Sequence, residues 1–101
     1  MAEELPVAEC KLDLAGLREQ QARYARVARD VSALERDPLT ITASLSADAD
    51  DDLVTELVAV ERECCPFFSI DWRPAERRLT FGVAGEAHAP ALDAIEYALG
   101  R

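Results

Sequence analysis

The stretch LTITASLSADADDDLVTELVAV, residues 39–60, changes its hydrophobic period once along its length. Apolar side chains first alternate with threonine and serine, at Leu39, Ile41, Ala43 and Leu45. Such alternation is typical of a strand with one buried face. The polar run SADADDD, residues 46–52, follows, and apolar side chains then recur at the spacing of a helix. The stretch therefore predicts a strand, an acidic turn and an amphipathic helix.

Two more elements are predicted upstream of this stretch. Residues 31–36 read as a first strand, and Asp37-Pro38 forms the turn that leads into the second strand. An earlier helix begins after Asp13, a favourable N-cap residue, and runs to about Ala28. The residues that share one face of this helix, at spacings of three and four, are Leu14, Leu17, Gln21, Tyr24 and Ala28.

Downstream of the stretch, Pro66 ends the second helix near Cys65, because proline cannot continue a helix. Alternating apolar side chains predict two further strands, with a turn at residues 73–77 between them. The apolar faces of these strands consist of Phe68, Ile70 and Trp72, and of Leu79, Phe81 and Val83. Gly85 ends the last strand, and a third helix then carries the apolar residues Leu92, Ile95 and Leu99.

The predicted order α-ββ-α-ββ-α indicates an α+β fold with a four-stranded, largely antiparallel sheet and helices packed on one face. Residues 79–99, LTFGVAGEAHAPALDAIEYAL, repeat the strand, polar loop and helix of residues 39–60. This weak internal repeat indicates a duplicated ββα unit. We interpret residues 1–10 as a loose N-terminal arm and residues 11–101 as a single domain, whose strand order the sequence leaves open.

Composition limits the classes of partner. The 101 residues are enough for one domain with a single modest core. Because 50% of them are hydrophobic and 31% are charged, the chain is predicted to be globular. The net charge is −9 and no basic stripe is present, so nucleic acid and anionic membranes are unfavourable partners. No apolar run reaches the ~20 residues of a membrane span, and the N-terminal MAEELPVAEC lacks the pattern of a secretory signal. An odd number of cysteines, 3, favours a reducing, cytoplasmic location over a disulfide framework.

The segment VERECCPFFSIDW, residues 60–72, places Cys64 and Cys65 side by side at the predicted end of the second helix. Packing of a small apolar side chain explains one buried cysteine more easily than two adjacent ones. The negative end of a helix dipole, with Glu61 and Glu63 nearby, disfavours a thiolate nucleophile and favours a bound cation. The adjacent spacing also differs from the C-x-x-C pattern of thioredoxin-like proteins.

Glu61 falls among the apolar residues of the second helix on a wheel of ~100° per residue, whereas Arg62 and Glu63 point away. A buried carboxylate is costly unless it is paired or binds a ligand. Two interpretations of Glu61 are therefore open. It is either a metal ligand or the partner of a salt bridge or hydrogen bond at the edge of the core, with Tyr24 or Gln21 as the second group.

The predicted topology brings several potential ligands to one end of the domain. If each short connection reverses the chain, the start of the first helix, the end of the second and the start of the third lie together. The residues that then converge are Cys10, Glu61, Cys64, Cys65 and His88. A set of three cysteines and one histidine suits zinc, and three thiols alone suit a softer ion. Adjacent cysteines bind one ion only if the helix frays at Cys64, and a lone histidine near a helix start is otherwise a surface or core filler.

Three segments, CKLDLAGLREQQARYARVARDV, LVAVERECCPFF and RRLTFGVAGEAHAPALDAIEYALG, resemble a group of small uncharacterised bacterial proteins with an E-R-E-C-C-P-F signature. The similarity covers nearly the whole chain. The resemblance implies a bacterial cytosolic protein and adds no activity.

Three functions are compatible with these residues. The first is a binding or sensing module for a thiophilic ion such as Zn²⁺, Cu(I), Hg²⁺ or As(III), because soft thiolates select such ions. The second is a structural or protein-interaction domain whose cysteines serve packing. The third is a thiol-redox protein in which Cys64 and Cys65 form a strained vicinal disulfide. No Ser-His-Asp set, phosphate loop or dinucleotide fingerprint supports another class of enzyme, so a non-enzymatic role is favoured.

Overall fold

The computed structural model describes residues 13–100, and the predicted arm at residues 1–10, with Cys10, lies outside them. The described residues follow the predicted order α-ββ-α-ββ-α. The elements are α1 (Leu14–Ala28), β1 (Val31–Asp37), β2 (Thr40–Leu45), α2 (Asp51–Cys64), β3 (Ser69–Arg73), β4 (Arg78–Gly82) and α3 (Ala89–Gly100). Short 3₁₀ turns at Pro74–Glu76 and Glu86–His88 precede β4 and α3.

The four strands form one antiparallel sheet in the order β1-β2-β4-β3. The second strand of each hairpin therefore lies in the centre of the sheet. Phe81 of β4 stands opposite Ile41 of β2 on one side and Ile70 of β3 on the other. All three side chains are buried, so they form an apolar row across the middle of the sheet. The predicted α+β architecture is confirmed.

The three helices supply the layer that covers the apolar face of the sheet. Helix α2 packs on β3, α3 packs on β1 and β2, and α1 lies against both other helices. The largest fully buried side chains are Phe81, Ile41, Leu57, Leu79, Leu92, Leu99, Val27 and Val54. A shallow polar groove on the sheet is lined by Glu35, Thr42, Ser44, Asp71, Arg73, Arg78 and Thr80. Chemistry that needs a water-poor site therefore has to be sought on the helical side.

Asp13 begins α1 as predicted, because its Oδ1 accepts a hydrogen bond of 2.8 Å from the amide of Gly16. The predicted buried face of this helix is wrong in part. Leu14 is 65% exposed and Gln21 is also exposed, whereas the buried residues are Gln20, Tyr24 and Val27. Helix α1 therefore presents a polar side chain, that of Gln20, to its neighbours. The partners of Gln20 on α2 explain this orientation.

Helix α2 has a well-defined start and end. The Asp50 side chain accepts hydrogen bonds from the amides of Asp52 and Leu53, at 2.9 and 3.4 Å, which caps the first turn. At the other end, the amide of Cys65 donates to the carbonyl of Glu61 at 2.8 Å. Cys65 itself has φ −130° and ψ 74°, outside the helical region, and Pro66 follows it. The chain thus leaves the helix between the two cysteines.

Candidate metal centre

Glu61 is buried in the last full turn of α2. The Glu61 side chain is 6% exposed, whereas the next two residues, Arg62 and Glu63, are exposed. The burial of Val54, Leu57 and Val58 on the same side confirms that Glu61 lies within the apolar face of the helix. A carboxylate is thus held against the core, where it requires compensating partners.

The partners of Glu61 come from α1. Its Oε1 accepts one hydrogen bond from the Tyr24 hydroxyl and one from the Gln20 side-chain amide, both at 2.9 Å. The Gln20 amide also donates to the carbonyl of Leu57 at 3.0 Å. The predicted contact with Tyr24 is confirmed, and the alternative partner, Gln21, is wrong by one position. Position 20, and not position 21, faces α2.

The carboxylate of Glu61 has no salt bridge within residues 13–100. The nearest cation in its hydrogen-bond network is Arg23, whose guanidinium donates to Gln20 Oε1 at 2.9 Å. Arg23 is itself paired with Glu56 at 3.1 Å. Within residues 13–100, a positive charge therefore reaches Glu61 only through the Gln20 amide. The site retains negative charge that a cation would balance.

The pKa of Tyr24 reflects the burial and the negative charge around its hydroxyl group. Burial raises its pKa well above the ordinary value of 10.0, and the charge of Glu61, the hydrogen bond to Glu61 and the charge of Cys65 act in the same direction. Its hydroxyl therefore remains protonated and continues to donate to Glu61. The stabilisation from this neutral phenol is complete below pH 10.0 and declines as the pH rises further, because the unfolded chain then loses the proton first.

The raised pKa of Tyr24 can be measured directly in a Tyr97→Phe variant, which leaves Tyr24 as the single tyrosine. Tyr97 is 74% exposed, so its replacement should leave the fold intact. We expect the phenolate absorbance of the folded variant to develop at a higher pH than that of the same variant in urea. Coincident titration curves in the two states would contradict the buried hydrogen bond to Glu61.

The two cysteines lie beside Glu61. Their exposures are 3% for Cys64 and 6% for Cys65, and their sulfur atoms are 3.6 Å apart. One carboxylate oxygen of Glu61 and both sulfurs lie within 4.8 Å of one another. Two sulfurs on one tetrahedral zinc, at bond lengths of ~2.3 Å, lie ~3.8 Å apart. The sulfur separation matches this value, and the group of three residues could hold a metal ion.

The sulfur of Cys64 is engaged in a disulfide. Cys64 can bind an ion only after reduction, because a metal ligand must be a thiolate.

His88 occupies a different position from the three grouped residues. Its ring stacks on that of Phe67, with centroids 4.5 Å apart and an interplanar angle of 8°. The group formed by Glu61, Cys64 and Cys65 does not include it. Of the five proposed ligands, the structure therefore brings three together and places the ring of His88 against that of Phe67. The ligand roles of His88 and Cys10 stay predictions.

Sequence reasoning missed Gln20 and Phe67 as parts of the site. Gln20 had a detectable signal, since it lies one helical turn before Tyr24 and therefore shares its face. Phe67 was hidden by its place in an apolar run, FF, whose second member, Phe68, belongs to the core. Both residues act through others: Gln20 orients Glu61, and Phe67 holds the ring of His88.

No helix within residues 13–100 is long and apolar enough to cross a membrane. Comparison of the chain with protein-family models, with curated proteins and with solved structures found no match.

Proposed function

We propose that the reduced protein binds a single thiophilic metal or metalloid ion through Glu61, Cys64 and Cys65. The observation that carries this proposal is the buried group of one carboxylate and two sulfurs within 4.8 Å. The hydrogen bonds from Tyr24 and Gln20 satisfy one oxygen of the carboxylate, but both donors are neutral. A bound cation would balance the charge of Glu61.

The charge balance of the site favours a cation over a neutral ligand. Reduction and metal binding convert both sulfurs to thiolates, which add two negative charges to that of Glu61. A divalent ion neutralises two of the three, and the hydrogen bonds from Tyr24 and Gln20 stabilise the remaining charge on the carboxylate. Because both hydrogen bonds end on Oε1, Glu61 can offer Oε2 to the ion.

The ligand set narrows the class of ion. Two thiolates and one carboxylate suit Zn²⁺, which accepts sulfur and oxygen in a tetrahedral site with one further ligand. Cu(I), Hg²⁺ and As(III) bind chiefly through sulfur and would use the third thiol of the chain, Cys10. We propose Cys10 or His88 as the residue that completes the set.

All three grouped residues fall in the segment E-R-E-C-C-P-F, residues 61–67. We propose that the small bacterial proteins that carry this signature share the site. In a reducing cytosol, where we propose that this chain acts, both cysteines would be available to an ion.

Ion binding can be tested on protein reduced with a phosphine and handled without oxygen. We expect Zn²⁺, Cu(I), Hg²⁺ or arsenite to bind with a stoichiometry of one by native mass spectrometry. Cys64→Ser, Cys65→Ser and Glu61→Gln should each weaken binding by at least about tenfold, since each removes a ligand. Glu63→Gln is the matched control, because Glu63 is exposed and lies two residues from Glu61.

The same titration assigns the remaining ligand. A loss of affinity in Cys10→Ser identifies a third sulfur, and a loss in His88→Ala identifies the imidazole. The proposed function is wrong if every ion binds the reduced protein no more tightly than it binds glutathione. It is also wrong if the Cys65→Ser variant binds the ion with the affinity of the parent. The structural or interaction domain with packed cysteines would then be the better description.

A further inference from the structure

The sheet presents its second face to solvent within residues 13–100, because all three helices pack on the other face. The middle of this open face carries short, half-buried side chains, those of Thr42, Ser44 and Thr80. Longer, exposed side chains of both charges stand around them, those of Glu35, Asp71, Arg73 and Arg78. These residues line the polar groove of the sheet, so the open face is a candidate interaction surface.

Strand pairing arranges the open face in rows that run across the sheet. The acidic row consists of Glu35, Thr42, Thr80 and Asp71. The next row along the strands, the basic row, consists of Ala33, Ser44, Arg78 and Arg73. The two rows are ~6.8 Å apart, the length of two residues of a strand. Negative charge therefore lies beside positive charge on the open face, and the two rows together carry no net charge.

The two arginines of the basic row stand directly opposite each other on β3 and β4. Like charges in such a position destabilise a sheet, so each guanidinium requires a carboxylate nearby. Arg73 has two, since Asp71 lies at 2.8 Å and Glu76 at 3.7 Å. Arg78 has no ion pair within residues 13–100. The guanidinium of Arg78 is therefore able to pair with a carboxylate of another molecule.

We propose that the open face binds the open face of a second copy of this chain. A half-turn about an axis that runs across the strands, between the two rows, places the acidic row of each copy over the basic row of the other. Asp71 of each copy then faces Arg73 of the other copy. Arg78 of each copy lies over the short side chain of Thr80 and reaches the other copy's Asp71. The length of an arginine side chain accommodates the ~30° at which twisted sheets pack.

The charge pattern selects this arrangement over the alternative half-turn. Rotation about an axis along the strands places Glu35 of one copy over Asp71 of the other, and facing like charges are unfavourable. The net charge of −9 also makes two copies repel each other over most of their surfaces. The two rows of the open face carry no net charge, so they provide a surface on which two copies can approach.

The size of the open face limits the strength of this association. Four strands ~4.8 Å apart and ~17–20 Å long make a face with a flat area of about 300–400 Å². This area is below the ~800 Å² that each partner buries in a standard interface, so we expect a weak, reversible dimer. The helical layer, with Glu61, remains on the outside of the dimer. The inference is therefore independent of the proposed function.

Sedimentation equilibrium of the full chain at concentrations up to about 1 mM tests the dimer. A reductant and a chelator are present, so that neither a disulfide nor a metal ion links two copies. We expect the average mass of the parent to rise from that of a monomer towards that of a dimer. Asp71→Arg and Arg73→Asp should each weaken association by at least about tenfold, because facing side chains then carry like charges. Their side chains are 59% and 60% exposed, so both variants should stay folded, which circular dichroism checks.

An equimolar mixture of the two variants separates the proposed contact from a change within one chain. In the mixed pair, each facing position again joins an arginine to an aspartate, and the total charge equals that of two parent chains. We expect the mixture to recover the association that each variant alone has lost. Glu63→Arg, which reverses an exposed charge on the helical side, should associate like the parent. A parent that stays a monomer, single variants that associate like the parent, or a mixture that does not recover would each overturn the proposal.

Discussion

Replacing Phe81 with alanine is expected to lower the free energy of unfolding by about 3–5 kcal/mol, the range for truncating a fully buried aromatic side chain. Phe81 is 0% exposed and lies on a central strand between Ile41 and Ile70. Its ring also meets that of Phe68 edge-on at 5.7 Å and that of Tyr24 at 6.4 Å. Truncation therefore opens a cavity between the sheet and the helices. Urea denaturation followed by circular dichroism measures the change.

Phe67→Ala is the matched control for Phe81→Ala, since it removes the same atoms from a half-buried position next to His88. Its cost should be clearly smaller, because water can fill the space that is left at a half-buried position. A Phe81→Ala variant as stable as the parent would remove Phe81 from the core. The pairing of β4 between β2 and β3 would then need revision.

The elements of the fold were predictable because their signals are local. Alternation over residues 39–45 reflects a strand that has one buried and one polar face, and Asp13 and Pro66 mark helix ends through backbone hydrogen bonding. Strand order has no such local signal. The pairing of β2 with β4 joins residues that are far apart in the sequence, such as Ile41 and Phe81. Only the packing of the complete core selects this pairing.

The face of α1 was assigned incorrectly for a related reason. A hydrophobicity pattern favours burial of Leu14 and rejects a glutamine, yet Leu14 is exposed and Gln20 is 4% exposed. Gln20 is buried because Glu61 and the carbonyl of Leu57 satisfy its amide. That compensation comes from a helix 37 to 41 residues away in the sequence. Patterns within α1 alone contain no information about it.

The site was predictable as far as it depends on neighbours in sequence. Glu61, Cys64 and Cys65 share one side of one helix end, and the helical period brings them together. The topological reasoning also placed the end of α2 near the start of α3, where the stacked rings of Phe67 and His88 are found. Side-chain distances of a few ångströms across that junction depend on rotamers and loop geometry, which a sequence pattern does not specify. A disulfide at Cys64 was predicted only in the third alternative, as a vicinal bond to Cys65, because an odd number of cysteines favoured a reduced protein.

Glu61→Ala is expected to lower the free energy of unfolding by about 2–4 kcal/mol, because it leaves two buried donors, those of Tyr24 and Gln20, without their acceptor. Glu61→Gln should cost less. Its amide oxygen can still accept at the position of Oε1, while the charge and the second carboxylate oxygen are lost. Urea denaturation of both variants, each reduced and free of metal, measures the two costs.

Comparison of the two variants separates the structural role of Glu61 from its proposed ligand role. Oε1 accepts the hydrogen bonds from Tyr24 and Gln20 that join α1 to α2, so its removal should lower the free energy of unfolding. Oε2 is the atom available to an ion, so its loss in Glu61→Gln should weaken ion binding more than it weakens the fold. Glu63→Ala and Glu63→Gln, at an exposed position, should change neither quantity by more than about 0.5 kcal/mol. If the position 61 variants change stability and ion binding as little as the position 63 variants do, the buried carboxylate contributes neither to the packing of α1 on α2 nor to an ion site.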